Sequence, residues 1–320
     1  MSLLIRKPGM LSTVQDLGRV GSRRLGINPN GVMDTTAARL INIALGNEEN
    51  AAVIEMHFPA AEIEFEDDTL IALGGADLGA MLDNVSIPLW QTMFASKGGV
   101  LKFKGKVSGN RCYLAVKNGF SIDSWLGSAS TNLVAGVGGF EGRKLSVGDR
   151  VACATTSEIK KIKIGRSLFP RYSRFPTVRI VAGSELPLLT AVSERAFLSR
   201  PFEITTDSNR MGFRLKGEPL QLLQTKEMLS SAVDFGTIQL LPDGQMIVLM
   251  TDHQTTGGYP RIGHVIKHDL PLVAQLGAKD TVSFHLISVE QAEAITMEFE
   301  RELALCKMGI RLTNLGGDSV

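Results

Sequence analysis

The feature that most constrains the fold is a recurrence of short runs rich in Val, Ile, Leu and Phe, separated by Gly, Asp and Asn. Runs of this length between turn residues predict β-strands, and their spacing favours barrels or sandwiches over βαβ units. Asn118-Gly119 and Asp243-Gly244 follow two of the runs and predict tight turns. The predicted strands are Ala61–Phe65, Thr69–Leu73, Gly99–Phe103, Cys112–Val116, Arg150–Ala154, Thr177–Val181, Phe202–Thr205, Ile238–Leu241, Gln245–Met250 and Thr281–Ile287.

Three segments predict helices within this mainly β chain. The first begins at Asp34 or Thr35 and ends at Leu45, because apolar residues recur there at i, i+3, i+4, i+7 and i+8. Asp34 has the side chain of an N-cap, and Gly46 is suited to end the helix. The other predicted helices are Leu188–Leu198 and Val289 to about Leu305.

A change in composition near residues 155–175 predicts a boundary between two domains. Thr, Ser, Lys and Pro replace the apolar runs there. A similar short sequence motif lies near the end of each half, at Leu145–Val151 and at Leu276–Val282, and each motif introduces a closing strand. We therefore predict a domain at 1–158, a second domain at 172–290, and a C-terminal helix with a frayed tail at 291–320.

Composition narrows the class of protein. The chain has 320 residues, 44% of them hydrophobic, which is enough for two domains. Its formal net charge is +1 and it has no basic stripe, so a nucleic-acid-binding role is disfavoured. No apolar run is long enough for a membrane span and the N-terminus lacks a signal-peptide pattern. The three cysteines are far apart, which predicts neither a disulfide nor a zinc site, and a cytoplasmic protein is expected.

The segment Asp252–Arg261 is a candidate binding loop. It follows the apolar run Met246–Met250, and a buried strand that delivers a polar, Gly-bearing loop is a common way to present a site. Gly257-Gly258 would let backbone N–H groups face an anion, and Arg261 would pair with a carboxylate or phosphate. The alternative is a tight loop whose threonines bond its own backbone.

A second polar cluster lies at residues 13–34. It combines Gln15, Asp16, Arg19 and Arg24 with several glycines just before the first predicted helix. Arginines there would grip carboxylate or phosphate groups with two hydrogen bonds each. A surface Ω-loop with self-satisfied polar groups is the alternative.

Other clusters carry weaker signals. Asp207–Gly212 predicts a turn from which Arg210 enters the next strand, either reaching inward to a carboxylate or lying on the surface. Gly74–Asp77 predicts a simple turn. His253 and His264 lack a metal-binding spacing, so we predict no metal site, and the chain contains neither a P-loop nor a G-x-S-x-G motif.

In order along the chain, these motifs resemble the biotin-dependent carboxyltransferase-like family, also labelled allophanate hydrolase subunit 2. The resemblance covers roughly residues 3–290, with Asn28 and Asn30 as small departures. Its motifs are Thr13–Arg19, Gly26, Gly31, Met33-Asp34, Arg39–Asn42, Gly46-Asn47, Leu73–Asp77, Tyr113–Val116, Leu126–Thr131, Gly138-Gly139, Asp207–Gly212, Pro242–Gln245 and Asp252–Pro260.

The resemblance implies a fold of two cyclophilin-like β-barrels. Among the family's members, this chain is most like the C subunit of 5-oxoprolinase, which implies an ATP-dependent opening of 5-oxo-L-proline to L-glutamate. It implies ATP and Mg²⁺ in a complex with two other 5-oxoprolinase components, the A subunit, and a smaller, homologous B subunit. Two alternatives stay open: a biotin-dependent carboxyltransferase of the urea or allophanate type, and a non-catalytic antagonist of a kinase-inhibitor protein.

Under this interpretation the polar loops supply the site. Gln254, Thr255, Thr256 and Tyr259 are the expected catalytic residues, holding a carbonyl oxygen as it gains negative charge or relaying a proton. Arg210 or Arg261 is expected to hold the substrate carboxylate. The remaining expected substrate-binding residues are Asn209, Gly257, Gly258, Gln15, Asp16 and Arg19, the last three at the mouth or facing the partner subunit.

Overall fold

The chain folds into two compact units, each discontinuous in sequence. A computed structural model describes residues 2–153, 161–224 and 228–315, with side chains as far as 312. Unit 1 comprises Met1–Arg19, Asn30–Arg171 and Glu300–Val320, and unit 2 comprises Val20–Pro29 and Tyr172–Phe299. The predicted domains are continuous in sequence, so they do not place Val20–Pro29 in unit 2 or Glu300–Val320 in unit 1. The predicted domain end at 158 and most of the predicted tail, 316–320, lie outside the described residues.

Four α-helices occur among the described residues: α1 (Thr35–Ala44), α2 (Ala191–Ser199), α3 (Leu270–Ala274) and α4 (Val289–Leu315). Asp34 caps α1, since its carboxylate accepts a 2.9 Å hydrogen bond from the backbone N–H of Ala37. The three predicted helices are confirmed, although α4 runs to Leu315 rather than to about Leu305. The five-residue α3 was not predicted, because it is too short to show a helical period.

Unit 1 contains two antiparallel sheets around one apolar core. The first has the order β11-β1-β4-β9-β6-β7 and the second β2-β3-β10-β5-β8. Side chains from both sheets meet in that core, among them Leu3, Phe65, Ile54 and Leu114. The strands are β1 Ser2–Lys7, β2 Ser12–Gln15, β3 Val53–His57, β4 Glu62–Phe65, β5 Thr69–Asp77, β6 Ala80–Leu82, β7 Val85–Ser86, β8 Thr92–Ala95, β9 Val100–Phe103, β10 Ser108–Val116 and β11 Arg150–Ala152.

Unit 2 is built on a closed barrel of order β12-β19-β16-β17-β14-β13-β20, beside a two-stranded sheet of β15 and β18. The barrel closes through the parallel pair β12 and β20, and Phe197 of α2 packs on Phe284 of β20 with ring centroids 5.1 Å apart. The strands are β12 Thr177–Ala182, β13 Phe202–Ile204, β14 Gly212–Lys216, β15 Ser231–Ala232, β16 Thr237–Leu240, β17 Met246–Leu249, β18 Thr256–Gly257, β19 Arg261–Val265 and β20 Thr281–Leu286.

The prediction of a mainly β protein with a few helices is confirmed. One of the two expected barrels is present as a closed seven-stranded barrel, whereas the strands of unit 1 form the two sheets described above. Every predicted strand is present, with ends that differ by a few residues. Among the described residues, no helix has the length and apolar character needed to cross a bilayer.

The turn predicted at Gly74–Asp77 is wrong, because these residues continue β5. Gly75 has a φ of +82°, and a Cβ there would collide with the backbone carbonyl of Arg111 on the adjacent strand β10. The β5–β10 register shifts between Ser108 and Cys112, which marks a bulge. The glycines therefore allow a close approach of two strands rather than a chain reversal.

Candidate functional site

An open cleft of about 510 Å³ lies on the outer face of the unit 2 barrel. It brings together three of the predicted site residues, Asn209, Gln254 and Tyr259, although these are far apart in sequence. The full lining is Asp207, Asn209, Met211, Gly212, Arg214, Gln239, Leu241, Pro242, Asp243, Ile247, Leu249, Gln254 and Tyr259. The cleft therefore combines an aliphatic floor with carboxamide and charged groups.

Strand register explains which side chains face this cleft. Phe213 of β14, Val248 of β17 and Ile238 of β16 pair across the sheet, and all three are buried in the barrel core. Because side chains alternate along a strand, the neighbouring positions point to the outer face. Those neighbours, Arg214, Ile247 and Gln239, also pair across the three strands and line the cleft.

The predicted loop at 252–261 closes one side of this outer face. Its residues Thr256–Gly257 form β18 and pair with Ser231–Ala232, and the carbonyl of Thr255 accepts a 3.2 Å hydrogen bond from the N–H of Val233. A Cβ at Gly257 would lie 2.6 Å from Nε2 of Gln239. The backbone of the loop thus approaches the Gln239 carboxamide closely, and glycine makes that approach possible.

Arg210 lies at the base of the same loop, in a buried ion pair. Its Nε and Nη2 atoms lie 2.9 and 3.1 Å from the carboxylate oxygens of Asp252, and the residue is only 5% exposed. Its backbone carbonyl accepts a 2.8 Å hydrogen bond from the N–H of Asp252. Arg210 therefore reaches inward to a carboxylate, the first of the two predicted alternatives, and that carboxylate is the chain's own.

Arg261 is also engaged by an internal carboxylate. Its Nε and Nη2 atoms each lie 3.0 Å from an oxygen of Glu185, and its backbone N–H donates to the same carboxylate at 2.8 Å. Burial opposes the charge of Glu185, but the hydrogen bonds from Arg261 outweigh it and the pKa of Glu185 is lowered. Neither expected arginine thus presents an uncommitted guanidinium, and their role toward a substrate carboxylate stays a prediction.

His253 is fully buried behind the loop. Its Nδ1 lies 2.5 Å from the carbonyl oxygen of Gln254, so Nδ1 carries the proton and Nε2 is the free lone pair. Nε2 is 3.9 Å from Asp234. Burial lowers the pKa of His253, and the nearby Arg23 acts in the same direction. His253 is therefore neutral at pH 7 and supports the backbone of the cleft residue Gln254.

The segment Val20–Pro29 belongs to unit 2 and binds this loop through side chains. Asn28 donates to the carbonyls of Asp252 and His253 at 2.9 and 3.1 Å. Arg23 donates to the carbonyl of Val233 and lies 3.2 Å from Asp234. Part of the predicted 13–34 cluster thus supports the predicted 252–261 cluster.

The other part of the 13–34 cluster, Gln15, Asp16 and Arg19, is buried within unit 1. Asp16 accepts hydrogen bonds from the hydroxyls of Ser128 and Ser130 at 2.7 and 2.6 Å and from the N–H of Ala129 at 2.7 Å. Gln15 donates to the carbonyl of Thr131 at 3.3 Å. These contacts hold the 128–131 loop against β2.

Arg19 adds to this network in unit 1. Its guanidinium donates to Asn30 Oδ1 at 2.6 Å and to the carbonyl of Ser130. It also lies 4.8 Å from the centre of the Trp125 ring, a cation–π distance. In unit 1 these residues support loops, and their expected position at a mouth or partner face stays a prediction.

Two cleft residues were missed by the sequence analysis. Gln239 is the lone polar residue in the run Ile238–Leu241, and Arg214 interrupts Phe213 and Leu215 in β14. A polar residue inside an otherwise apolar strand was the available signal, but the strand pattern alone does not say which face is covered. Among the described residues, no cluster of His, Cys, Asp and Glu has the geometry to hold a metal ion.

Comparison with known proteins identifies the family. Residues 25–286 match the family described as carboxyltransferase domain, subdomain A and B. The chain belongs to this carboxyltransferase-domain family. The match includes the cleft and the loop around Gln254 and ends just before α4.

Relatives of this carboxyltransferase-domain chain span nearly its whole length. It is 37% identical over 289 residues to the C subunit of 5-oxoprolinase from Haemophilus influenzae, covering 90% of this chain and 92% of that protein. It is also 37% identical over 290 residues to the C subunit of 5-oxoprolinase from Escherichia coli, covering 91% and 93%.

A solved structure shares the fold. The crystal structure of the K. lactis urea amidolyase superposes with a TM-score of 0.90 at 23% sequence identity. The superposition covers 95% of this chain but 20% of that protein. The carboxyltransferase-domain chain thus corresponds to one part of a much longer polypeptide there.

Proposed function

We propose that this chain is the C subunit of an ATP-dependent 5-oxoprolinase, which opens 5-oxo-L-proline to L-glutamate. The observation that carries the proposal is the similarity to two proteins of that name, which covers at least nine-tenths of this chain and of each relative. If the proteins shared only one domain, the alignment would cover only part of this chain or only part of the relative. The residues of the cleft also lie within residues 25–286, which match the family.

Opening a lactam is difficult, because amide resonance resists attack at the carbonyl carbon. Transfer of a phosphoryl group from ATP to the lactam oxygen would release ADP and activate the carbonyl carbon. Addition of water to that carbon and departure of the ring nitrogen, which takes up a proton, would break the C–N bond and leave an acyl phosphate. A second water would then release phosphate and give L-glutamate. We assign ATP and Mg²⁺ to the assembled complex, with the A and B subunits, rather than to named residues of this chain. Its own contribution is a cleft that binds and orients the small amide.

Within that cleft, three exposed residues, Gln254, Tyr259 and Asn209, are proposed to contact the substrate from the rim. Thr255, Thr256, Gly257 and Gly258 supply hydroxyl and backbone N–H donors to a carbonyl oxygen as it gains charge. The buried pair Arg210–Asp252 holds the base of the loop in place. The proposal is supported for Asn209, Gln254 and Tyr259 by their place in the cleft lining. Residues 255–258 are not part of that lining, and their proposed roles rest on their position between Gln254 and Tyr259 in the same loop.

The partners and the cellular location follow from the same assignment. We propose a cytoplasmic enzyme in which the Gln15, Asp16 and Arg19 region of unit 1 supports the surface that meets the smaller B subunit. We also propose that unit 1 is a second cyclophilin-like barrel, since its two sheets surround a single apolar core.

One alternative function has an observation in its favour. The family is named for carboxyltransferase domains, and a urea amidolyase shares the fold. In that case the cleft would receive a carboxyl group from biotin on a separate carrier. A purely regulatory antagonist of a kinase inhibitor would use the same fold without chemistry.

The deciding experiment is reconstitution. Purified chain is mixed with its candidate A and B subunits, ATP, Mg²⁺ and 5-oxo-L-proline, and glutamate is measured with and without this chain. Glutamate that depends on the chain is the expected result. No glutamate from an intact complex overturns the proposal and favours biotin-dependent carboxyl transfer or regulation. A Thr256→Ala complex that retains full activity would remove Thr256 from the proposed roles.

A further inference from the structure

Three carboxamides, Asn209, Gln239 and Gln254, line the unit 2 cleft, and Gln239 differs from the other two. Asn209 and Gln254 lie on the exposed rim, whereas Gln239 is 1% exposed at the base. Among the described residues, its carboxamide makes one hydrogen bond, to the carbonyl of Tyr259 at 3.5 Å, the outer limit of such a bond. A buried amide with so little internal partnering has capacity for a ligand.

Arg214 lies on the same outer face of the barrel as Gln239, and its positive charge is not paired with a carboxylate of the described residues. It lines the cleft and is exposed, and within the described part of the chain its guanidinium has no hydrogen-bond or ion-pair partner. Arg210 and Arg261, by contrast, are each held by a carboxylate of the chain. Arg214 is the single cationic side chain in the cleft lining, which also contains the acidic Asp207 and Asp243.

The register places these two groups in one row across three strands. Gln239 of β16 pairs with Ile247 of β17, and Ile247 pairs with Arg214 of β14. Adjacent strands lie about 4.8 Å apart, so the Cα atoms of Gln239 and Arg214 are separated by about 10 Å. The row thus has the order carboxamide, aliphatic side chain, guanidinium.

We infer that the row Gln239–Ile247–Arg214 binds a small cyclic amide that carries a carboxylate, with Gln239 recognising the amide edge and Arg214 the carboxylate. This inference deepens the proposed function and rests on it for the identity of the ligand. A lactam has its N–H and C=O on the same edge, and the carboxamide of Gln239 offers the complementary acceptor and donor. A guanidinium can bind a carboxylate through two parallel N–H···O hydrogen bonds.

The middle of the row is apolar, as the methylene groups of such a ring require. Ile247 and Leu249 provide the apolar contact for the ring methylenes, and the Ile247 side chain lies against Gly212, where a Cβ would be 2.5 Å from its Cδ1.

Binding is tested by calorimetry on the full chain, alone and in complex with the A and B subunits, using three ligands. 5-Oxo-L-proline carries both groups, 5-oxotetrahydrofuran-2-carboxylate replaces the amide N–H by oxygen, and 2-pyrrolidinone lacks the carboxylate. We expect wild-type protein to bind 5-oxo-L-proline about 10- to 100-fold more tightly than either analogue. Equal affinities for all three ligands, or no binding of 5-oxo-L-proline in either form, would overturn the inference.

Variants assign each group to its residue. Gln239→Met should remove the preference for lactam over lactone, and Gln239→Glu should weaken all acidic ligands, because it adds a carboxylate. Arg214→Met should remove the preference for 5-oxo-L-proline over 2-pyrrolidinone. Arg195→Met, an exposed arginine on α2, and Gln221→Met serve as matched controls. Thermal unfolding identifies any variant that fails to fold, and the wild-type ligand series needs no substitution.

The two proposals fail in different ways. If the reconstituted complex forms glutamate but Gln239→Met and Arg214→Met leave both its KM and the ligand selectivity unchanged, the row is wrong and the proposed function stands. If the wild-type complex forms no glutamate yet the chain binds the ligands with the expected selectivity, the row stands and the oxoprolinase assignment fails.

Discussion

Gly257 and Gln239 are matched to each other: a Cβ at position 257 would lie 2.6 Å from the amide nitrogen of Gln239. One residue is in the loop after β17 and the other in the middle of β16, and β18 brings the loop over the outer face of the barrel. The buried carboxamide and the glycine above it therefore form one structural unit at the base of the cleft.

A first prediction follows from this contact. In Gly257→Ala the new methyl group displaces the Gln239 carboxamide, which is the flexible end of a side chain, so the fold survives and binding suffers. We expect KM for the substrate of the reconstituted complex to rise about 10-fold, the effect of losing one hydrogen bond. The matched control is Gly105→Ala, since a Cβ at Gly105 meets nothing within 4 Å. An unchanged KM for Gly257→Ala would show that Gln239 does not contact the substrate.

A second prediction concerns the buried pair of Arg210 and Asp252. Arg210→Met leaves the carboxylate of Asp252 buried with fewer donors, and we expect a loss of about 3–5 kcal/mol in the free energy of unfolding. The double variant Arg210→Met with Asp252→Leu should recover most of that loss, because neither charge stays buried alone. Urea denaturation of the four proteins in this cycle provides the measurement. Additive effects of the two substitutions would show that the pair is not coupled.

The third prediction is a pH dependence of stability. Burial lowers the pKa of both His253 and His264, so the unfolded chain binds more protons than the folded chain as the pH falls below the ordinary histidine pKa of about 6.5. The contribution of the two neutral histidines to stability is therefore fully present above that pH, and the free energy of unfolding falls as the pH decreases below it. Glu185, whose pKa is lowered through its bonds with Arg261, adds a loss in the same direction at more acidic pH.

Urea denaturation midpoints at about pH 5, 6, 7 and 8 test this dependence. We expect the midpoint to be flat between about pH 7 and 8 and to decrease from about pH 7 to 5. His253→Gln and His264→Gln should each reduce the slope, whatever they do to the midpoint at the alkaline end. A wild-type midpoint that rises as the solution is acidified would contradict a lowered pKa of the two histidines.

The fourth prediction tests the network of unit 1. The carboxylate of Asp16 accepts hydrogen bonds from Gly18, Ser128, Ala129 and Ser130. In Asp16→Asn the amide nitrogen cannot accept, and we expect a loss of about 2–3 kcal/mol with faster hydrogen exchange in the 128–131 loop. Asp123→Asn is the control, since Asp123 is exposed. Equal exchange in the two variants would exclude a supporting role for Asp16.

Much of the local structure was predictable because it depends on neighbours in sequence. The helix α1 follows from the period of its apolar residues and from the cap at Asp34. The strands follow from β-prone runs between turn residues, and the loop after Met250 was recognised as polar and glycine-bearing. The helix α3 could not be predicted, because five residues are too few to show a helical period. The glycines Gly74-Gly75 wrongly predicted a turn, because they lie within β5 and allow a close approach to the neighbouring strand.

The site itself depends on contacts between residues that are distant along the chain. Local patterns were enough to predict the class of fold, the family and the loop with Gln254 and Tyr259. They could not predict that Arg210 and Arg261 are held by Asp252 and Glu185, while Arg214 stays uncommitted beside Gln239. These ion pairs join residues that are 42 and 76 positions apart. Which face of a strand is covered likewise depends on the register with its neighbours, and that register forms only when the barrel closes.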